Sequence, residues 1–421
     1  MLNQFYYLEL MITVIRKKRI YKVFVWSAFL ICLIFIYSLI SNNGSTIIPF
    51  GDTVSYWATG RLLLSGENPY SAEEVLKIQD EVGDLQTSPL NEISMNLYPP
   101  WATTFALPLG FFSYPLTRII WFLFHTIIIL ISAKVTWQIY DGPSVMLIIP
   151  FLITISFFPT MLLLGVGHNS GLLLLGACGF LFFIQKPDSS PSHYLLAGAC
   201  AVLMTIRPQI LYLILIALLF WAVYNKAWMV LLGGFLAVST LTLVSMVFDP
   251  QIMSHYLVTF SDYKYGTWAT PTLGTVLRLI FGAEKDWLQV VPSIIGIGWV
   301  FFYWLKNKDT WDWLRQMPIL IFASVITSAY VWTYDMVVLL IPILAIVVDM
   351  MRVKFNWMVG LYLFIFVFAN LVTFYLHITF YDYFFIWFAP FLLLWYLFGF
   401  KIVQWSKQYQ QTLGQESTKI N

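Results

Sequence analysis

Long apolar runs separated by short polar turns dominate this chain. Several runs approach the roughly 20 residues that a helix needs to cross a bilayer. The pattern predicts about 12 transmembrane helices, with a range of 11–13. They are expected at 22–40, 101–137, 144–165, 168–185, 192–206, 208–225, 227–248, 288–305, 317–334, 336–351, 357–376 and 384–402. Pro108 and Pro115 make the second either one kinked helix or a short surface helix followed by a span.

The composition agrees with this pattern. Hydrophobic residues occupy 60% of the 421 positions and charged residues only 10%, whereas a soluble domain carries about 25% charged residues. The chain is therefore predicted to be an all-α polytopic membrane protein, with one integral domain over 1–421 surrounded by membrane lipids. The apolar run at 22–40 follows the basic stretch Arg16–Arg19 without a small-x-small cleavage site, which favours a retained signal anchor.

The basic residues give the expected orientation. With the N-terminus in the cytoplasm, sixteen Lys and Arg fall on the inner side and six on the outer side, as the positive-inside rule requires. This assignment predicts a protein of the cytoplasmic membrane. It places the long loops 41–100 and 249–287 outside and the tail 403–421 inside.

The two extracytoplasmic loops are expected to carry surface helices. Positions 72–85 form an amphipathic pattern, and 249–287 is rich in Tyr, Trp and Thr, which suits the membrane interface. Loops of this length in a compact protein are usually functional. The chemistry is therefore expected on the extracytoplasmic side.

Asp52 is the first candidate for that chemistry, because it follows the first apolar run and lies at the start of loop 41–100. A carboxylate at this depth suits a general base that takes a proton from a hydroxyl acceptor; the alternative is a turn or cap residue. Arg207 lies between two apolar runs and is suited to hold a phosphate in bidentate fashion. Its alternative is an arginine that reaches for lipid headgroups.

Other polar and aromatic residues are candidates for a substrate cavity. Turn motifs at 66–70 and 96–101 and the glycine-rich segment 165–171 contribute several of them. The full set is Tyr56, Tyr70, Tyr98, His168, Asn169, Gln209, Asp262, Lys264, Arg278 and Asp335. For the Tyr-Pro-Pro and glycine-rich motifs, a rigid helix start and a satisfied interfacial histidine are the alternatives.

Several site classes lack their motifs in this sequence. Cys32, Cys178 and Cys200 have no metal-ligand spacing, and there is no basic patch for nucleic acid and no phosphate-cradling glycine loop followed by Lys. We therefore expect no metal, no cofactor and no nucleic-acid partner. Without a nucleotide site, a transferase of this type needs a lipid-carried donor.

The polar motifs together resemble a known family. They are Asp52, Tyr56, Gly66-x-x-Pro69-Tyr70, Tyr98-Pro99-Pro100, Gly167-His168-Asn169, Arg207-Pro208-Gln209 and the segment Thr270–Arg278. This pattern, over roughly 45–350, is similar to the polyprenol-phosphate-sugar-dependent glycosyltransferases of family 87, of the phosphatidylinositol-mannoside mannosyltransferase type, which have the GT-C fold.

The resemblance implies that Asp52 is the catalytic base and that Arg207 lies near the donor phosphate. His168 stands where the family more often has Gln, and the Tyr334-Asp335 site stands where it more often has His.

The expected activity is inverting transfer of a mannose-like hexose from a polyprenyl-phosphate donor to a hydroxyl of a lipid or glycan acceptor. The alternatives are a multi-span transporter or lipid flippase, and a cell-surface polysaccharide polymerase or ligase.

Overall fold

The computed structural model describes residues 51–82, 95–185, 190–262, 269–353 and 357–420, and among these all regular structure is helical. The helices are α1 (Thr53–Ser65), α2 (Ala72–Glu81), α3 (Tyr114–Ile139), α4 (Ile148–Ser156), α5 (Phe158–Val166), α6 (Ser170–Ile184), α7 (Pro191–Met204), α8 (Tyr212–Tyr224), α9 (Trp228–Phe248), α10 (Ile252–Asp262), α11 (Leu273–Phe281), α12 (Val291–Asn307), α13 (Trp313–Thr327), α14 (Leu340–Met351), α15 (Trp357–His377) and α16 (Phe388–Ile420). The expected span at 22–40 lies outside the described residues.

Six described helical segments are long and apolar enough to cross a membrane. They are Tyr114–Ile139, Trp228–Phe248, Asp286–Thr310, Thr333–Met351, Trp357–His377 and Asp382–Ser406. The bent pair α4 and α5 makes a seventh if it counts as one span, and four shorter apolar helices (α6, α7, α8 and α13) lie between them. Each expected span within the described residues thus matches a helix or helix pair, but the count of about 12 spans stays a prediction.

Two expected spans differ in form from the sequence pattern. The segment 101–137 is not one kinked helix: a single turn at Pro100–Thr103 and a 3-10 helix at Leu107–Phe111 precede α3. Pro115 lies in the first turn of α3, where the missing N–H of proline costs no hydrogen bond. The expected span 317–334 is displaced, since α13 begins at Trp313 and ends at Thr327.

The expected span 144–165 is broken into α4 and α5, which meet at an angle of 65°. Pro159 stands in the first turn of α5 and prevents a continuous helix. The break leaves the amide of Phe158 without a helical partner, and the Asn370 side chain accepts its hydrogen bond at 3.0 Å. A polar residue inside α15 therefore satisfies the backbone at the break.

The loop predicted at 41–100 contains a buried helix, α1, that hydropathy alone does not indicate. Ten of the 13 residues of α1 are buried, and the helix packs closely on the 3-10 helix Leu107–Phe111. A Cβ on Gly60 would lie 2.3 Å from the carbonyl oxygen of Ala106, so only glycine permits this approach. The packing fixes α1, and with it Asp52 at its N-terminus, against the membrane helices.

The surface elements of the two loops follow the expected pattern in part. An amphipathic helix forms at α2, which ends at Glu81 rather than 85, with the Ser71 hydroxyl capping its first turn. The second loop carries α10 and α11. On α11, Leu279 and Ile280 are exposed while Arg278 on the opposite side is buried.

Contacts between helix ends separate the molecule into two polar ends. Arg352 donates to the carbonyl oxygen of Tyr140 at 2.8 Å, and both residues belong to the end that the sequence assigns to the cytoplasm. The residues assigned to the other side, Asp52, Arg207 and Asp335, meet at the opposite helix ends. Residues predicted to share a side thus contact each other, while the end that faces the cytoplasm stays a prediction.

Candidate functional site

The candidate site forms where helices begin or break. Asp52 precedes α1, His168 lies between α5 and α6, and Arg207 lies in the turn between α7 and α8. Asp335 belongs to the 3-10 helix Thr333–Leu339 that leads into α14. Helix ends carry unpaired backbone groups, so polar side chains gather there at low cost even inside a membrane protein.

Gly167 gives this junction its shape. Its φ of +70° ends α5, and an added Cβ would lie 2.0 Å from the Thr53 Oγ1 atom. Its carbonyl oxygen accepts a 2.8 Å hydrogen bond from Trp121. The neighbouring carbonyl of Val166 accepts from the amide of Asp52 at 2.9 Å. This turn therefore fixes both Asp52 and His168.

Arg207 and Asp335 form a buried ion pair through Arg207 Nη1 and Asp335 Oδ1. The same Oδ1 accepts from the Ser170 hydroxyl, and Oδ2 accepts from the Trp332 amide at 2.9 Å. Burial alone would lower the pKa of Arg207, but Asp335 outweighs it and raises that pKa above its ordinary value. The guanidinium stays charged, and the Asp335 carboxylate is fully engaged by protein donors.

His168 lies at the centre of the cluster as a neutral side chain. The amide of Ser170 donates to its Nδ1 at 3.2 Å, so we assign the ring proton to Nε2. Nε2 then donates to the Tyr98 hydroxyl at 2.8 Å. Burial, and after it the charge of Arg207, holds the pKa of His168 well below its ordinary value. His168 is therefore a fixed donor rather than a titrating group.

The Asp52 carboxylate is partly exposed, whereas that of Asp335 is fully buried. Asp52 Oδ2 lies 3.7 Å from His168 Nε2, beyond hydrogen-bond distance, and the Asp52 side chain is 36% exposed. No side chain or amide in the described part of the chain donates a hydrogen bond to the Asp52 carboxylate. Enclosure by protein raises the pKa of Asp52 to about 6, with Arg207 opposing and Asp335 adding to the shift. The carboxylate is thus ionised at neutral pH and free to accept a proton.

Aromatic rings form the wall beside these charges. The Tyr56 ring stacks on Tyr98 at 6.0 Å and packs against Trp121 at 5.3 Å. On the other side, the Tyr334 ring stacks on His168 at 4.1 Å. Tyr70 supports the wall from behind, since its hydroxyl donates to the carbonyl oxygen of Tyr98 at 2.6 Å.

The remaining predicted residues lie apart from this group or add little to it. Asn169 is buried beside His168 with an Oδ1 that has no hydrogen-bond partner among the described residues. Gln209 is half-buried in the turn that carries Arg207. Arg278 belongs to a separate polar cluster, where it donates to Ala283 and Gln289. The Asp262 side chain and Lys264 lie outside the described residues.

Three further residues of the site, Ser170, Tyr334 and Asp382, are not among the predicted site residues. Ser170 and Tyr334 are neighbours of chosen candidates, but a hydroxyl next to His168 or Asp335 gives no signal of its own. Asp382, just before α16, accepts a hydrogen bond from the Thr333 amide at 3.1 Å and so holds the turn that carries Asp335. Only the tertiary fold connects positions 333 and 382.

The arrangement contains serine, histidine and aspartate but is not a hydrolytic triad. Ser170 is fully buried and donates its hydroxyl proton to Asp335, so it offers no accessible nucleophile. Groups of three or more His, Cys, Asp or Glu suited to a metal ion are absent among the described residues. The chemical resources of the site are one open carboxylate, one fixed cation and a wall of aromatic rings.

Comparison with protein families decides the class. The profile of glycosyltransferase family 87 matches residues 96–328, which is more than half of the chain. The chain belongs to glycosyltransferase family 87. No curated protein and no solved structure matches it significantly.

Family membership makes this protein a membrane glycosyltransferase rather than a transporter or lipid flippase. The family match is consistent with the GT-C superfamily. It includes Tyr98, His168 and Arg207, while Asp52 precedes it and Asp335 follows it. These two carboxylates therefore enter the site through the three-dimensional contacts described above.

Proposed function

We propose that this family 87 enzyme transfers a mannose-like hexose from a polyprenyl-phosphate donor to a hydroxyl of a lipid or glycan acceptor. The reaction takes place on the outer face of the cytoplasmic membrane, with inversion at the anomeric carbon. Asp52 acts as the general base, and Arg207 binds the donor phosphate. Both residues serve one reaction.

The observation that carries the proposal is the contrast between the two carboxylates. Asp335 is buried and accepts hydrogen bonds from Arg207, Ser170 and the Trp332 amide, so it is poorly placed to take a substrate proton. The Asp52 carboxylate accepts no hydrogen bond from the described residues, its side chain is 36% exposed, and its pKa is raised to about 6. A base works best when its pKa lies near the working pH and its oxygens are free to contact the acceptor.

The guanidinium of Arg207 supports a bound phosphate near Asp52. Its Nη1 atom is paired with Asp335 and lies 3.2 Å from His168 Nε2. Its Nε and Nη2 atoms have no hydrogen-bond partner among the described residues. Guanidinium groups bind phosphate strongly through such N–H groups.

The reaction needs no reactant beyond the lipid donor and the acceptor. The acceptor hydroxyl gives its proton to Asp52 while its oxygen attacks the anomeric carbon. The bond from that carbon to the phosphate oxygen breaks, and the electron pair leaves with the polyprenyl phosphate. Arg207 stabilises the charge on the leaving phosphate in a site partly shielded from water.

The decisive test of the donor class uses purified protein in nanodiscs with matched hexose donors. One donor is a polyprenyl-phosphate hexose, and the other is the same hexose on a nucleoside diphosphate. The proposal expects transfer from the lipid donor alone. Transfer from the nucleotide donor, or hexose movement across proteoliposomes without transfer, would contradict it.

A further inference from the structure

Tyr334 is held against the centre of the site by its own ring. The ring lies 4.1 Å from the His168 ring with an interplanar angle of 29°, and the Trp332 ring stacks near it at 6.2 Å and 15°. Its chain neighbour Asp335 is fixed by the ion pair with Arg207. Both ring and backbone are therefore constrained, so the direction of the phenol hydroxyl is set by the fold.

That hydroxyl has no structural use in the described protein. It makes no hydrogen bond with any residue that the structure describes, while the Tyr334 side chain is half-buried. The His168 ring on which Tyr334 stacks has its Nε2 atom 3.7 Å from Asp52 Oδ2 and 3.2 Å from Arg207 Nη1. A polar group near a base and a cation, without a hydrogen-bond partner among the described residues, is suited to contact a substrate.

The hydroxyls of the neighbouring tyrosines are committed elsewhere. Tyr98 accepts from His168 Nε2, and Tyr56 is in hydrogen-bond contact with Tyr98 at 3.3 Å. Tyr70 donates to a backbone carbonyl. Among the tyrosines of the aromatic wall, Tyr334 is thus the one whose hydroxyl is available within the described structure.

We propose that Tyr334 is a further substrate-contacting catalytic residue, whose hydroxyl donates a hydrogen bond to the leaving phosphate of the lipid donor. This inference rests on the function proposed above and deepens it, since it adds a neutral donor beside Arg207. A phenol with an ordinary pKa of about 10 keeps its proton at neutral pH. Because the proton stays on the phenol, the bond changes at the anomeric carbon remain as described.

The test replaces only the hydroxyl. Tyr334→Phe keeps the ring stacked on His168 and removes the donor. A lost hydrogen bond to a charged group corresponds to about a 10- to 100-fold effect. We expect the transfer rate to fall by that factor and the affinity for farnesyl phosphate, a short polyprenyl phosphate, to fall about tenfold.

A matched control variant and a check on folding make the result specific to the Tyr334 hydroxyl. Tyr375→Phe on the exposed part of α15 (the side chain is 71% exposed) serves as the matched control and should change neither quantity. Size-exclusion profiles select folded material for every measurement. Tyr334→Phe protein that binds farnesyl phosphate like wild type would overturn the inference, whatever its transfer rate.

The outcome is separable from that of the proposed function. If Asp52→Asn is inactive while Tyr334→Phe retains wild-type rate and phosphate affinity, the inference about Tyr334 fails and the function stands. If the wild-type protein does not use the lipid donor at all, the proposed function itself fails.

Discussion

Arg207 and Asp335, separated by 128 residues in the chain, form an ion pair inside the protein. The pair connects the turn before α8 to the 3-10 helix before α14. It also decides which carboxylate is available to a substrate, because Asp335 is ion-paired with Arg207 and Asp52 is not. The division of roles between the two aspartates therefore follows from this contact.

Removal of one partner of this pair leaves an unpaired buried charge, which costs about 3–5 kcal/mol. We expect Arg207→Met and Asp335→Leu each to lower the free energy of unfolding by that amount. The double variant should lose less than the sum of the two, because it buries no lone charge. Thermal unfolding in detergent measures the cycle, and additive losses would mean that the pair is not formed.

The rate of transfer should depend on the ionisation of Asp52. The base must be deprotonated, so the rate rises as pH rises through about 6 and levels above it. His168 stays neutral over this range because burial holds its pKa well below the ordinary value. A pH profile of kcat at saturating donor and acceptor measures this, and a midpoint near 4 would show that Asp52 is not enclosed.

The contribution of Asp52 to the free energy of unfolding should fall as pH rises, whereas the transfer rate should increase. Because the folded-state pKa of Asp52 is raised from 3.8 to about 6, the folded protein binds a proton more readily than the unfolded chain. The stabilising contribution is complete below 3.8 and is lost as pH rises towards 6. Asp52→Asn should therefore gain unfolding temperature relative to wild type as pH rises through that window. A constant difference across the window would contradict the shift.

A pair of glycines tests whether the turn between α5 and α6 shapes the site. Gly167→Ala forces a side chain into a left-handed conformation and against Thr53. We expect a loss of about 2–4 kcal/mol in stability and a fall in activity. Gly165→Ala is the matched control, because nothing lies within 4 Å of its added Cβ and alanine favours the helix by about 0.5–1 kcal/mol. Equal stability and activity of the two variants would show that Gly167 has no special structural role.

His168 is predicted to act as a positioned donor and not as an acid or base. His168→Gln keeps an acceptor for the Ser170 amide and a donor for Tyr98, so activity should stay within about tenfold of wild type. His168→Leu leaves both partners unsatisfied and should lose about 10- to 100-fold. Steady-state transfer rates separate the two variants. If Gln is as inactive as Leu, the imidazole itself takes part in the reaction.

The sequence predicts that Asp52 and Arg207 lie near the membrane surface. It does not predict which residues they contact. An ionisable residue among apolar runs is conspicuous, which is why Arg207 and Asp52 emerge from the pattern. The contact between the Asp52 amide and Val166 spans more than 100 positions, and no periodicity encodes it. The saturation of Asp335 depends equally on Ser170 and Trp332 being brought together.

The helix pattern was predicted well where apolar runs are uniform and poorly where other forces act. α1 was missed because its sequence contains Gly60 and Arg61 and is only moderately apolar, yet packing against the 3-10 helix buries it. The break between α4 and α5 has a local signal in Pro159, but the Asn370 side chain that satisfies the freed amide comes from α15. Tertiary contacts therefore decide the burial of α1 and stabilise the break.

The most direct test of the central claim is hexose transfer by purified Asp52→Asn protein from a polyprenyl-phosphate donor, measured beside farnesyl phosphate binding. The amide keeps the size of the side chain but cannot take the proton from the acceptor hydroxyl. We expect no measurable transfer, together with an affinity for farnesyl phosphate at least equal to that of the wild type. Near-wild-type transfer by this variant would contradict the role of Asp52 as the base.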